Sequence, residues 1–327
     1  MSEIKKIGVL TSGGDAPGMN ACIRGVVRTA LYHNLEVYGI KSGYNGLIQN
    51  DFVKLESTDV HNIVQLGGTI LKTARSKEFM TPEGREKAYQ NLREQGIDGL
   101  IVIGGNGTFT GASAMLREFD LPVIGVPGTI DNDLFGTDMT IGFDTAVNTV
   151  VEAVDKIRDT ADSHNRIFFI EVMGRDAGFI ALRSGIAAGA TDILVPETVT
   201  YIDELVEILE KGFLKNRKSG IVIVAEGDDA GGAFDVANKV KEKYNHIDTR
   251  VTVLGHIQRG GTPSSYDRIL GGSLGYGAVN ALLEGRKGEM VGVKNNNLNY
   301  TPLEKAIKHH KNIRTDLLKM ARILSNY

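Results

Sequence analysis

Short runs of apolar residues recur along the chain, and most of them end at a glycine or at a charged residue. Runs of this length, bounded by turn residues, are typical of strands that are buried on both faces of a parallel sheet. The segments between the runs carry apolar residues at helical spacing. This alternation of strands and helices predicts an α/β fold with parallel sheets.

The boundaries of the elements follow from the same pattern and from the Gly and Pro residues that interrupt it. Strands are predicted over residues 6–11, 35–40, 99–103, 122–126, 167–172, 192–195, 220–225, 250–254 and 290–293. Helices are predicted over residues 19–32, 58–66, 82–95, 110–119, 144–160, 201–216, 233–244, 266–284, 302–309 and 315–325. No low-complexity linker separates the two α/β sets that result.

The composition narrows the class of protein. A chain of 327 residues is typical of about two domains. Its net charge of −3 provides no general attraction to nucleic acid or to anionic lipid, so neither is an expected partner. An anionic ligand would therefore need locally clustered arginines.

Cysteine content and hydropathy bear on location. Cys22 is the only cysteine, which rules out an internal disulfide and favours a reducing compartment. The first residues lead into a strand without a signal-peptide core, and no apolar run approaches the roughly 18 residues of a membrane helix. We therefore expect a cytoplasmic protein without a membrane partner.

The segment 127–133, Pro-Gly-Thr-Ile-Asp-Asn-Asp, follows a predicted strand. Ligands of open α/β sheets bind at the carboxyl ends of the strands. If the segment is extended, Asp131 and Asp133 face the same side, where one can accept a proton while the other supports a cation. The alternative is an acidic turn, since Asp and Asn are common turn residues.

Two glycine-rich loops also follow predicted strands. Gly13 and Gly14 precede one helix, and the sequence Gly-Gly-Asn-Gly-Thr at 104–108 precedes another. Successive backbone N–H groups beside a helix N-terminus can bind phosphate, although the first loop alone is better explained as a tight turn. The first loop has neither dinucleotide-fingerprint nor P-loop spacing. Two such loops on neighbouring strands predict one phosphate site.

Charged side chains cluster near the predicted strand ends. The cationic or protonatable ones are Arg75, Arg166, Arg175, Arg250, His256 and Arg259, and the acidic ones are Asp131, Asp133 and Glu226. Phosphoryl transfer needs positioning, neutralisation of phosphate charge and a carboxylate to accept the acceptor's proton. Any single arginine is often merely solvated, but the set matches these needs. His309 and His310 are interpreted as a solvated helix end.

Four motifs together resemble those of the bacterial-type ATP-dependent 6-phosphofructokinases. They are Thr-Ser-Gly-Gly-Asp-Ala-Pro-Gly-Met-Asn at 11–20, the segment 127–133, Met-Gly-Arg at 173–175 and Gly-His-Ile-Gln-Arg-Gly-Gly at 255–261. The resemblance covers nearly the whole chain. It implies transfer of the γ-phosphate of ATP to the 1-hydroxyl of fructose 6-phosphate, with Mg²⁺ as the cofactor.

The resemblance also implies the domain organisation. The expected fold has two Rossmann-like three-layer α/β lobes with the active site in the cleft between them. Residues 1–141 and 255–304 would form the ATP-binding lobe, and residues 142–254 and 305–327 the sugar-phosphate-binding lobe.

Roles for individual residues follow from the resemblance as well. Asp131 would be the base, Thr129 and Arg75 would stabilise the transferring phosphoryl group, and Asp133 would support the metal and the base. The implied catalytic residues are Asp131, Thr129, Arg75, Asp133 and Arg175. The implied nucleotide site comprises Gly14, Tyr44, Arg75, Ser76, Gly105, Asn106, Gly107, Thr108 and Gly111, with Asn106 and Asp133 toward the metal.

The implied sugar-phosphate site comprises Thr129, Asp131, Arg166, Met173, Gly174, Arg175, Glu226, Arg250, His256 and Arg259. In the family, the residues that match Arg166 and Arg250 reach a neighbouring subunit's site. A homo-oligomer is therefore implied, usually a homotetramer with sites shared across subunits.

The phosphoryl donor leaves alternatives open. Diphosphate-dependent members carry an acidic residue at the position of Gly107 and a lysine at that of Gly128, so both positions here are ATP-type. Asn106 stands where the family pattern Gly-Gly-Asp-Gly has its aspartate, which predicts weaker binding of Mg²⁺–ATP with catalysis retained. A diphosphate-dependent enzyme and a regulatory subunit that only binds sugar phosphate are the alternatives. NAD and diacylglycerol kinases share Gly-Gly-Xaa-Gly-Thr but lack the second lobe's arginines.

The family's effector site, where ADP or phosphoenolpyruvate binds between subunits, is matched in part. The matching residues are Arg24, Arg28, Arg158, Arg217 and Lys218. Ser57 and Thr191 stand where the family has an arginine and a glutamate. Loss of one cation and one anion from a phosphate-sized pocket predicts blunted regulation.

Overall fold

The computed structural model describes residues 4–214, 219–244 and 248–325. The chain forms two compact units. The first comprises the residues through Ile130 together with Leu134–Thr145 and Arg259–Lys311. The second comprises Asp131–Asp133, Ala146–Gln258 and the residues from Asn312 onward. The main crossings follow residues 145, 258 and 311, whereas the sequence-based ranges place them after residues 141, 254 and 304.

Strands and helices alternate along most of the described chain. The strands are β1 (Lys6–Thr11), β2 (Glu36–Ile40), β3 (Phe52–Lys54), β4 (Gly99–Gly104), β5 (Val123–Pro127), β6 (Ile167–Val172), β7 (Asp192–Leu194), β8 (Gly220–Ala225), β9 (Thr249–Val253), β10 (Glu289–Lys294) and β11 (Asn297–Pro302). The α-helices are α1 (Met19–Tyr32), α2 (Gly43–Gln49), α3 (Pro82–Glu94), α4 (Asn106–Phe119), α5 (Phe143–His164), α6 (Phe179–Ala187), α7 (Ile202–Leu214), α8 (Ala233–Lys243), α9 (Ser265–Leu283), α10 (Leu303–Lys308) and α11 (Thr315–Ser325).

The first unit contains a seven-stranded sheet in the order β11-β10-β5-β4-β1-β2-β3. The five inner strands are parallel, and β3 and β11 pair antiparallel at the two edges. All six residues of β4 are buried, as expected for a central parallel strand covered on both faces. The first, second, fourth and fifth strands have the order of a doubly wound sheet, with β1 next to β4.

Helices cover both faces of this sheet. Leu10, Leu100 and Val102 lie on one face, in a buried cluster that also holds residues of α2, α3 and α4. Their neighbours along the strands, such as Val9 and Ile101, are fully buried and point to the other face, because side chains alternate along a strand. On that side α1 packs against α9, where a Cβ on Gly25 would lie 2.7 Å from the carbonyl oxygen of Gly272 and a Cβ on Gly275 would lie 2.5 Å from that of Cys22. The first unit therefore has three layers.

The second unit contains a four-stranded parallel sheet in the order β7-β8-β6-β9. Phe169, Val222 and Val224 pack in a buried cluster with residues of α7 and α8. At the β7 edge, Arg322 of α11 forms an ion pair with the buried Asp192 at 3.2 Å. The helix α5 begins in the first unit and continues into the second.

The prediction of an α/β fold is confirmed, and several elements match it to the residue, including β1, α1, β6, β8 and α11. The predicted helix at 58–66 is wrong: the segment consists of turns, and Asn62 has a left-handed φ of 56° that interrupts helical geometry. The helix predicted at 110–119 begins earlier, at Asn106. The sequence pattern missed α2, β3, α6 and β11, and residue 216 at the end of a predicted helix lies outside the described residues.

Candidate active site

The site of interest in the first unit lies where the sheet topology reverses. The chain leaves β1 toward β2 on one side and leaves β4 toward β5 on the other, although β1 and β4 are neighbours. The connections diverge from the carboxyl ends of these two strands and leave a crevice between them. Both glycine-rich segments lie there, because one follows β1 and the other ends β4.

Hydrogen bonds tie the two glycine-rich segments together. The N–H of Ser12 donates to the carbonyl of Ile103 at 3.0 Å, and the hydroxyl of Thr108 donates to the carbonyl of Ser12 at 3.0 Å. The hydroxyl of Thr73 donates to the carbonyl of Gly13 at 2.7 Å, which fixes the first loop from its other side. The sequence prediction that the two loops adjoin is therefore confirmed.

The second glycine-rich segment is the start of α4. Gly105, the residue before the first helical turn, has no side chain to accept the amide hydrogens of that turn. A helix N-terminus with open N–H groups attracts anions. A Cβ on Gly104 would lie 2.3 Å from the Thr108 hydroxyl, whereas a Cβ on Gly107 would meet nothing within 4 Å. Packing thus explains Gly104 but leaves open space beside Gly107.

Thr129 lies beside this helix start. A Cβ on Gly105 would be 3.6 Å from the Cβ of Thr129. The N–H of Gly128 donates to the carbonyl of Gly104 at 3.0 Å, which aligns the segment after β5 with the end of β4. The structure therefore brings Thr129 to the amide groups that the sequence predicts for phosphate.

The segment after Thr129 departs from one expectation. Asn132 has a left-handed φ of 52°, so the stretch from Asp131 to Asp133 is not extended and the strand-like argument for a shared face is wrong. Asn tolerates this conformation because its short polar side chain bonds locally. Asp131 is 5% exposed, and Asp133 is half-buried. A nearly buried carboxylate is shielded from bulk water.

Tyr44 underlies α4. Its ring is 5% exposed and stacks on Phe79 at 4.0 Å, and its hydroxyl donates to the carbonyl of Thr108. Burial raises the pKa of Tyr44 well above its usual range. A Cβ on Gly111 would lie 2.8 Å from this ring. Both predicted nucleotide-site residues thus support the helix start from below.

Arg75 and Ser76 follow the loop that holds Gly13. Arg75 is exposed. The hydroxyl of Ser76 accepts the N–H of Phe79 at 3.3 Å, at the 3-10 turn Glu78–Met80. The side chain of Arg75 is therefore exposed, and the residue after it is fixed by a hydrogen bond to the next turn.

Arg259 lies against the first glycine-rich loop. A Cβ on Gly14 would be 2.5 Å from the Nη1 atom of Arg259, and this atom donates to the carbonyl of Asp15 at 3.3 Å. The sequence predicts Gly14 for nucleotide and Arg259 for sugar phosphate, and the structure places them in contact. A side chain at position 14 would displace the Arg259 guanidinium from this position.

In the second unit, Glu226 holds the turn after β6. Its Oε1 accepts the N–H groups of Gly174 and Arg175 at 3.3 and 2.6 Å. Gly174 and Arg175 have φ values of 147° and 53°, and the strain at Arg175 is of the kind found at functional turns. Met173, Gly174, Arg175 and Glu226 are thus one local group. The exposed Arg175 guanidinium extends from it.

Gln258 belongs to the same group and was missed by the sequence analysis. It is fully buried, its Oε1 accepts the N–H of Met173 at 3.2 Å, and its Nε2 donates to the carbonyl of Gly255 at 3.0 Å. Its place within the motif 255–261 was the available signal. The neighbouring His256 is exposed.

Arg166 and Arg250 lie at the amino-terminal ends of the strands in the second unit's sheet, whereas Met173 and Glu226 lie at the carboxyl-terminal ends. Arg166 directly precedes β6, and Arg250 is paired with Phe168 near its start. Both arginines bond to Asp248, Arg166 at 2.6 Å, and the Arg166 hydrogen bond lowers the pKa of that carboxyl. The six residues of β6 span about 20 Å, which separates these arginines from Met173 and Glu226.

The chain is similar to a known protein family and to several of its members. The phosphofructokinase family model matches residues 6–282. The ATP-dependent 6-phosphofructokinase 2 of Bacteroides thetaiotaomicron is 54% identical over 325 residues, which cover 99% of this chain and 100% of the relative. The ATP-dependent 6-phosphofructokinase 1 of Thermus thermophilus is 56% identical over 322 residues, 98% of this chain and 100% of the relative.

The chain belongs to the phosphofructokinase family.

Solved phosphofructokinase structures share its fold. The T-state enzyme of Pichia pastoris matches with a TM-score of 0.89 and 38% identity over 94% of this chain, which spans only 36% of the yeast chain. The pyrophosphate-dependent phosphofructokinase of Marinobacter aquaeolei matches with a TM-score of 0.83 and 25% identity, covering 96% of this chain and 86% of that one. No helix among the described residues is long and apolar enough to cross a membrane.

The positions that match the phosphofructokinase effector site differ in exposure and in hydrogen bonding. Arg24 and Arg28 are exposed, one turn apart on α1. The Arg158 guanidinium donates to the carbonyls of Ala188 and Gly189, the latter at 3.2 Å, at the end of α6. Arg217 and Lys218 lie outside the described residues.

Thr191 and Ser57 are the two departures from the family's effector pattern. Thr191 is 5% exposed, and its hydroxyl accepts the N–H of Ile221 at 3.2 Å. It is therefore part of the sheet edge and brings no anionic group. Ser57 is half-buried in a turn and brings no cation.

Proposed function

We propose that the protein is an ATP-dependent 6-phosphofructokinase, which transfers the γ-phosphate of ATP to the 1-hydroxyl of fructose 6-phosphate and releases fructose 1,6-bisphosphate and ADP. The observation that carries the proposal is the pair of glycine-rich turns after β1 and β4, with Thr129 against the second turn. Membership of the family and the names of the curated relatives support the same activity.

The proposed chemistry rests on positioning and charge. The N–H groups at the start of α4 bind phosphate oxygens of ATP, and Thr129 and Arg75 stabilise the transferring group. Asp131 accepts the proton of the 1-hydroxyl and Arg175 neutralises phosphate charge. Because Asp131 is nearly buried, water competes poorly for its reactive oxygen.

Mg²⁺ fits the residues assigned to it. The amide oxygen of Asn106 and the carboxylate of Asp133 are hard oxygen donors of the kind Mg²⁺ prefers. Among the described residues, no group of three or more His, Cys, Asp or Glu side chains can hold a metal ion. Asn106 and Asp133 would hold the ion, which would supply neutralisation of phosphate charge.

ATP is favoured over diphosphate as the donor. A Cβ on Gly128 would lie 2.9 Å from Ile103 Cγ2 and 3.0 Å from Met19 Cε, so the lysine of diphosphate-dependent members would not fit without rearrangement. A Cβ on Gly107, in the first turn of α4, would meet nothing within 4 Å, and this space leaves room for the inner phosphates of a nucleotide.

The fructose 6-phosphate site is assigned to Met173, Gly174, Arg175, Glu226, His256 and Arg259 together with Arg166 and Arg250. The last two lie about 20 Å from Met173 along β6. This separation supports the proposal that they serve the site of another subunit in a homo-oligomer, here a homotetramer. A cytoplasmic location belongs to the same proposal.

A coupled aldolase assay with fructose 6-phosphate and Mg²⁺ tests the activity. We expect turnover with ATP and none with diphosphate. Turnover with diphosphate alone would overturn the assignment of the donor. Binding of fructose 6-phosphate without turnover from either donor would support a regulatory subunit instead.

A further inference from the structure

A fully buried carboxylate that the proposed site does not include connects two helix starts in the first unit. Asp267 lies in the first turn of α9 and is 0% exposed. Its Oδ1 accepts the N–H of Gly142 at 2.9 Å, and its Oδ2 accepts the N–H and the hydroxyl of Thr145 at 2.8 and 2.5 Å. All three donors belong to the first turn of α5 or the residue before it.

The segment that Asp267 holds continues directly to Thr129. The N–H of Ile141 donates to the carbonyl of Pro127 at 2.9 Å, and Ile141 forms a parallel bridge with Gly128. The hydroxyl of Thr140 donates to the carbonyl of Thr129 at 2.6 Å. Residues 140–145 are thus bonded at one end to Asp267 and at the other to residues 127–129.

The same segment is closely packed against its neighbours. Gly142 has a φ of 100°, and a Cβ there would lie 2.6 Å from the Cβ of Ala16. A Cβ on Gly18 would lie 3.3 Å from the Cβ of Asp267. The carboxylate therefore lies where the β1–α1 loop, the start of α5 and the start of α9 meet.

The arrangement costs stability. Burial raises the pKa of Asp267 to about 6, opposed by its bonds to Thr145 and Gly142, and the nearby Asp144 adds to the rise. Asp144 is itself bonded to the hydroxyl of Ser264 at 2.6 Å. At neutral pH the carboxylate is charged, and its two oxygens together accept three hydrogen bonds. An amide cannot replace this pattern, since only one of its two polar groups accepts.

We propose that Asp267 is a positioning residue for phosphoryl transfer, which fixes Thr129 beside the start of α4 through the segment 140–145. The proposal rests on the phosphofructokinase activity proposed above. Asp267 is fully buried and is not among the residues assigned to either substrate, so its effect should fall on the geometry of the transition state and leave substrate affinity largely unchanged.

Asp267→Asn tests the proposal, with Asp98→Asn as the matched control. The Asp98 Oδ2 accepts the N–H groups of Lys5 and Lys6 at 2.9 Å each, at the amino edge of the same sheet. We expect kcat to fall about tenfold or more in Asp267→Asn, with both KM values within about twofold of wild type. Asp98→Asn keeps the wild-type kcat even if it lowers the melting temperature. A folded Asp267→Asn enzyme with the kcat of the control would overturn the proposal.

A milder pair of variants covers the case in which Asp267→Asn fails to fold. Thr145→Val removes one donor to Asp267 and retains the shape of the side chain, and Thr145→Ser restores the hydroxyl. We expect a lower kcat in the first variant and recovery in the second. Equal kcat values in the two variants would contradict the proposal.

Hydrogen exchange separates this proposal from the proposed function. The amide hydrogens of Ile141, Gly142 and Thr145 should exchange faster in Asp267→Asn than in wild type and should be unaffected in Asp98→Asn. Unchanged exchange at Ile141 would overturn the positioning role whether or not the enzyme turns over. Absence of turnover in the wild-type protein would contradict only the proposed function.

Discussion

Asn106 begins α4 and brings a neutral amide to the position where the family pattern has an aspartate. Its carbonyl accepts the Thr110 hydroxyl at 2.9 Å, so the backbone of the first turn is well held. The side-chain oxygen would be an uncharged metal ligand. Since Mg²⁺ prefers anionic oxygen, we expect the residue to lower affinity for the ion and to leave unchanged the backbone amides that we propose bind phosphate.

We expect Asn106→Asp to lower the Mg²⁺ concentration that half-saturates ATP turnover by about tenfold, because it adds an anionic ligand. The measurement is a Mg²⁺ titration of the initial rate at fixed free ATP. Asn295→Asp, which adds the same charge at an exposed turn of the β10–β11 hairpin, is the control. An unchanged Mg²⁺ requirement in Asn106→Asp would remove Asn106 from the metal site.

At the scale of elements, the two glycines that distinguish ATP-dependent from diphosphate-dependent members occupy different surroundings. Gly128 is enclosed by Ile103 and Met19, whereas Gly107 faces open space within the first turn of α4. Packing therefore requires the first glycine but does not account for the second. A ligand that approaches the helix start does account for it.

A matched pair of alanine variants tests this difference. Gly128→Ala should lower the free energy of unfolding by about 1–3 kcal/mol because the methyl group overpacks the site. Gly107→Ala should retain or raise stability by up to about 1 kcal/mol, since alanine favours helix, and should raise the KM for ATP. Urea unfolding and ATP titrations measure the two effects. A Gly107→Ala enzyme with wild-type KM would place the phosphates elsewhere.

The sequence pattern predicted the elements wherever apolar runs were buried on both faces, as in β4 and β8. It failed where tertiary contacts decide the conformation. The 58–66 segment has helix-like composition, yet Asn62 turns to the left-handed region. Within the site, motifs predicted Gly14 and Arg259 separately but not their contact. The sequence around Asp267 did not indicate its role, because its hydrogen-bond partners lie more than 120 residues away in sequence.

At the scale of the whole molecule, Arg166 and Arg250 bear on assembly. Both lie at the amino edge of the second unit's sheet and share Asp248. Within one chain both arginines lie far from Glu226, although all three are assigned to a fructose 6-phosphate site. This distance is explained if each arginine contributes to the site of another subunit. The active enzyme is then necessarily an oligomer.

Mixed oligomers test the shared site. Asp131→Asn and Arg166→Ala should each be inactive or nearly so, and their co-expression should restore about a quarter of the sites by random pairing. Co-expression of Asp131→Asn with Arg175→Ala, both assigned to the same subunit's site, should restore none. Equal activity of the two mixtures would contradict a site built from two subunits.

Regulation should also differ from the family's pattern. Thr191 is bonded into the sheet and Ser57 carries no charge, so an ADP or phosphoenolpyruvate phosphate would meet fewer charged partners. We expect nearly hyperbolic fructose 6-phosphate saturation curves with little response to either effector. Strong sigmoidality that ADP relieves would refute this expectation.

Asp131→Asn addresses the central claim most directly, with Asp138→Asn, an exposed carboxylate of the first unit, as the control. The measurement is kcat with ATP and saturating fructose 6-phosphate, alongside the melting-temperature shift that each substrate produces. We expect Asp131→Asn to lose about 10²–10⁴ in kcat while both substrates still raise its melting temperature, because the proton acceptor is lost and the binding groups remain. A variant that binds both substrates and turns over at the wild-type rate would contradict the assignment of Asp131 as the base.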